Sequence, residues 1–164
     1  MVTSFKSTLK IMSVVFAAVM MAAVVYAQAD QGMKGDKTGE MRLKAGAERM
    51  ISAEHLILSS LESQGLMNDP AITEGSSMLT AGERMILEGK KMMQTSETRI
   101  QGKEEMMQGS TKMMEGKDFV MKELRRKGLM KTKPLKGDEK LLADGENMML
   151  SGKNLMMDGE RNFV

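Results

Sequence analysis

Apolar residues recur along this chain as adjacent pairs on a seven-residue frame that runs from about Met50 to Phe163. The pairs are Met50-Ile51, Ile57-Leu58, Met78-Leu79, Met85-Ile86, Met92-Met93, Met106-Met107, Met113-Met114, Val120-Met121, Leu141-Leu142, Met148-Met149 and Leu155-Met156. Seven residues is close to two helical turns, so the frame predicts helices that each carry one apolar stripe. A glycine recurs three or four places after the pair, as in the segments Gly82 to Glu88 and Gly145 to Ser151.

A longer period lies above this one. Sliding the sequence by 63 residues, nine turns of the frame, sets Gly65-Leu66-Met67 on Gly128-Leu129-Met130, and Gly82 to Lys90 on Gly145 to Lys153. The Gly-Leu-Met match lies outside the seven-residue consensus and points to an internal duplication of one helical hairpin, with copies near 38–101 and 102–164. Each copy breaks after Gly-Leu-Met. Gly65 suits a helix C-terminus, Asp69 a cap, and Pro70 the first helical position. In the second copy the break falls at Lys131 to Gly137, with Asp138 as the expected cap. Thr98 and Gln101 have capping-box spacing, but the frame runs straight through them. A turn or one continuous rod is therefore expected there. The predicted helices lie near 38–64, 70–94, 97–127 and 138–163. The expected fold is all-α, with two duplicated hairpins in an antiparallel four-helix bundle or in longer coiled-coil-like helices.

Taking the first member of a pair as zero, the residue four later lies at about 40° on a helical projection, in mid-stripe. Gly75, Gly82, Gly89, Gly145, Gly152 and Gly159 occupy that position. Gly102, Gly109 and Gly116 come three after the pair, at about −60°, on the flank. Each glycine inside a helix costs roughly 0.5–1 kcal/mol relative to alanine. A second helix approaching closely, with its methionines over the glycines, would offset that cost. In the third helix Lys103, Ser110 and Lys117 hold mid-stripe. That helix is expected to be the least buried of the four, or to meet a polar partner.

The front of the chain has the layout of a secretory signal peptide. Lys6 and Lys10 precede an apolar run from Ile11 to Val25, and Ala27-Gln28-Ala29 is a small-x-small exit. Cleavage near Ala29 would leave a lead-in at 30–37 and one helical domain at 38–164, exported to the periplasm or the medium. A retained leader would instead anchor the chain in a membrane. Without Lys6 and Lys10 the remaining 22 basic residues equal the 22 acidic ones. No basic face is segregated beyond Lys122, Arg125, Arg126 and Lys127, and aromatic residues are scarce, so nucleic-acid binding is not expected.

Candidate chemistry is thin. His55 is the sole histidine, cysteine is absent, and no Glu-x-x-His pair, phosphate-cradling loop or nucleophile elbow occurs. Neither an enzyme nor a bound cofactor is expected. Of the 22 methionines, all but Met1, Met12, Met20 and Met21 follow the leader. Thioether is a soft and adaptable group, which suits an exported binding protein that associates with itself or holds a hydrophobic client. The partner stripe would comprise Met85, Met92, Met93, Met106, Met107, Met113, Met114, Met148, Met149, Met156 and Met157. Gly82, Gly89, Gly145 and Gly152 lie between them. The alternative function is sequestration of Cu(I) or Ag(I), assembled across helices from Met92-Met93 with Met148-Met149 or Met156-Met157. A third reading is oxidation sensing, since a sulfoxide in the stripe would loosen it.

Overall fold

A computed structural model describes residues 37–130 and 137–163. Four α-helices follow in order: α1 (Lys37–Ser63), α2 (Pro70–Met92), α3 (Arg99–Arg126) and α4 (Asp138–Arg161), with a 3₁₀ turn at Leu66–Asn68 before α2. No strand occurs among the described residues, and none of their helices is long and apolar enough to cross a membrane. The leader at 1–29, residues 30–36 and residues 131–136 lie outside the described residues. Lys37, expected in the lead-in, already opens α1.

Local chemistry sets the helix ends. Asp69 caps α2 by accepting from the backbone N–H groups of Ala71 (3.1 Å) and Ile72 (3.3 Å), and Pro70 occupies the first helical position. α3 stops in a paired-bond cap: Gly128 N–H donates to Arg125 O at 3.0 Å and Leu129 N–H to Leu124 O at 2.9 Å. Gly128 adopts φ +69°, the same value as Gly65 after α1. Asp138 is not a cap. Gly137 holds the cap position of α4 without a side-chain bond, and Asp138 and Glu139 place their charges in the first turn.

The chain turns between α2 and α3, so the two form an antiparallel hairpin instead of one rod. Thr98 precedes α3, but its hydroxyl does not cap it. It donates to Met92 O at 2.6 Å and so closes the turn, with Thr95 Oγ1 2.6 Å away. The closest packing joins α2 to α3 and α1 to α4, and these two pairs lie on one another as a four-helix bundle. Contacts between pairs run along α1–α2, α3–α4 and α1–α3, and are far sparser than those within a pair. α2 and α4 do not pack together. Leu43, Met50, Ile57, Leu79, Ile86, Met106, Met113, Leu142, Met149 and Met156 are fully buried.

Candidate functional site: glycine seams and the methionine core

The two close pairs rest on glycine facing glycine. In α2–α3, Gly75, Gly82 and Gly89 oppose Gly116, Gly109 and Gly102. In α1–α4, Gly39 and Gly46 oppose Gly159 and Gly152, and Ala53 takes the third place opposite Gly145. A methyl on Gly82 would lie 2.5 Å from Met113 Cγ and 2.6 Å from Gly109 O; one on Gly152 would lie 2.7 Å from Gly46 O and from Met50 Cγ. Backbones this close leave no room for a Cβ. The dispersion contacts that result are the compensation for glycine inside a helix. Met50, Met106, Met113 and Met156 each lie against an opposing glycine, as the stripe required.

Along the partner stripe, Met106, Met113, Met149 and Met156 are fully buried, and Met93 nearly so. Met85, Met92, Met107, Met114 and Met148 are half-buried, and Met157 is 37% exposed. Gly82, Gly89, Gly145 and Gly152 are buried within the seams. The methionines therefore form core and core edge, and Met85 and Met107 also line a surface cleft of about 500 Å³ with Gln108 and Glu160. Met92 ends α2 and Met93 caps it, whereas Met148, Met149, Met156 and Met157 sit on α4. Since those helices share no seam, the structure does not bring these pairs together. Among the described residues no group of three or more His, Asp or Glu side chains is disposed to hold a metal ion.

α3 departs from expectation. Gly102, Gly109 and Gly116 are not on an idle flank but in the α2 seam. Mid-stripe Ser110 and Lys117 are buried too, so α3 is not the least buried helix. The reason is that α3 packs on two sides, with glycines toward α2 and its polar mid-stripe toward α4. The polar partner is real. Lys117 Nζ lies 2.6 Å from Asp118 and 3.7 Å from Glu146, and Arg125 binds Glu146 at 3.0 Å. From α4, Lys153 Nζ donates to Ser110 Oγ at 2.8 Å and to Thr111 Oγ1 at 3.0 Å. Burial lowers the Lys153 pKa.

The sequence reading missed Glu54. It lies four residues after Met50, as Lys117 lies four after Met113, and it is fully buried. Thr80 of α2 donates to its Oε1 at 3.2 Å, while Oε2 has no partner among the described residues. Burial, and then the neighbouring Glu83 carboxylate, push its pKa up to about 7. His55 is mostly exposed, with Nε2 3.3 Å from Glu83. The frame position was a usable signal, because mid-stripe residues of α1 and α3 face inward whatever their charge.

No known protein family, curated protein or solved structure matches this chain.

Proposed function

We propose that this is an exported, non-enzymatic helical protein whose methionine-rich inner faces serve self-association or the holding of a hydrophobic client. One observation carries the reading: each helix pair is locked by its own glycine seam, while the pairs meet each other sparsely. The pairs can then part without unzipping either seam, and parting would present soft, adaptable side chains to an apolar helix. The bundle is read as two copies of one hairpin. The support is the shared Gly-Leu-Met, with both glycines at φ +69° and 63 residues apart.

Light scattering on the mature chain, with titration by an amphipathic helical peptide, tests the role. A stable oligomer, or saturable peptide binding that weakens when Met85, Met107, Met114 and Met148 become leucine, supports it. A monomer that binds no peptide sinks it. Tight stoichiometric Cu(I) uptake under reducing conditions would replace it with metal sequestration.

A further inference from the structure

Two of the edges where the helix pairs meet, α3–α4 and α1–α2, satisfy their buried polar groups differently. Along α3–α4, ion pairs and charged hydrogen bonds hold the edge: Lys117 and Arg125 on Glu146, and Lys153 on Ser110. Along α1–α2 the ion pair Lys90–Glu48 (2.7 Å) and the His55–Glu83 contact lie at the exposed rim, and the buried polar groups beneath them lack such partners. Glu54 has one hydroxyl bond and an unpartnered oxygen, and the buried Ser76 hydroxyl has none. A cleft of about 470 Å³ already runs along this edge, and Thr80, the residue that holds Glu54, forms part of its wall with Leu58, Met67 and Ser76.

Among the described residues, the charged groups level with Glu54 offer it no cation. From α2, Glu83 repels it, and His55 of α1 turns its imidazole to Glu83. Arg84, next on α2, is directed to Glu88. Gly145 packs on Ala53 and Ile57, which places Glu146 of α4 at this height, and Lys117 of α3 is already committed to Glu146 and Asp118. An ionised Glu54 would be a buried carboxylate beside another carboxylate. Neutral, it keeps the Thr80 bond and buries one unpaired oxygen, a far smaller cost than burying the charge.

We propose that the α1–α2 edge is a proton-operated latch: it stays shut while Glu54 holds its proton, and ionisation of Glu54 parts the edge and admits the hydrophobic partner. The latch rests on the binding role proposed above and names its control. The folded value near 7 lies above the ordinary 4.5, so closure is fully favoured below about 4.5 and is lost as pH rises through about 7.

Carboxyl carbon NMR and apolar-dye fluorescence on the mature protein, between about pH 5 and 8.5, test it. Glu54 should titrate near neutrality, and dye binding should rise several-fold through the same midpoint. Glu54→Gln should flatten the profile. Glu83→Gln, which keeps Glu54 but removes its like-charged neighbour, should move the midpoint to lower pH. His55→Gln should retain the transition and so exclude the imidazole as its source. A Glu54 that titrates as an ordinary surface carboxyl, or a wild-type profile surviving in Glu54→Gln, overturns the latch. If the titration is as expected but no peptide binds at either pH, the latch stands and the client role falls.

Discussion

Gly82 and Gly128 lack a side chain for different reasons, and the same substitution should separate them. At Gly82 the backbone is ordinary helix, so alanine gains about 1 kcal/mol of intrinsic helix preference. Its methyl would nevertheless meet the Gly109 carbonyl oxygen at 2.6 Å, and that oxygen belongs to the facing backbone and cannot swing aside. Overpacking of this kind costs about 1–3 kcal/mol, and a backbone obstacle puts it at the upper end. Gly82→Ala should therefore lose about 2 kcal/mol net, which thermal unfolding by circular dichroism would read as a melting point lower by roughly 6 °C. At Gly128 the space is open but φ is +69°, a left-handed conformation that alanine resists. There the expected loss is about 1 kcal/mol, from backbone strain alone.

Among the elements, α3 shows best what a sequence discloses. Its glycines, its methionines and its mid-stripe lysines were all legible, because the seven-residue frame fixes angular position. Which neighbour each stripe meets was not legible, because a frame shared by four helices does not say which helices pair. The same gap left the turn after Met92 open, which Thr98 closes through a bond to Met92 O that no capping rule anticipates. Glu54 was overlooked for a related reason. A lone acid beside a histidine reads as solvated until the facing helix is known. The ion pairs of α3 also yield a test. Lys117→Met exchanges a buried cation for an apolar group of similar length, and Glu146 keeps Arg125, so stability should hold within about 1 kcal/mol. Glu146→Ala strips Lys117 and Arg125 of a shared anion and leaves Lys117 only Asp118. It should cost about 1–2 kcal/mol in urea unfolding, discounted for the partial exposure of Glu146. Equal losses for the two variants would mean that the polar mid-stripe does not hold the α3–α4 edge.

For the molecule as a whole, burial orders the reactivity of the sulfurs. Met41, Met67 and Met157 are 37–38% exposed, while Met50, Met106, Met113, Met149 and Met156 are sealed in the core. Graded peroxide treatment followed by peptide mass spectrometry should oxidise the first group early and leave the second intact until the bundle opens. Simultaneous oxidation of both groups in native buffer would show a core that opens freely. Each seam, finally, behaves as a rack with three teeth, set about 10.5 Å apart by seven residues of helical rise. Displaced by one tooth, two of the three still mesh, and the teeth of another molecule are identical. Mispairing should therefore come in whole steps, and crowded chains should trade helices before they unfold.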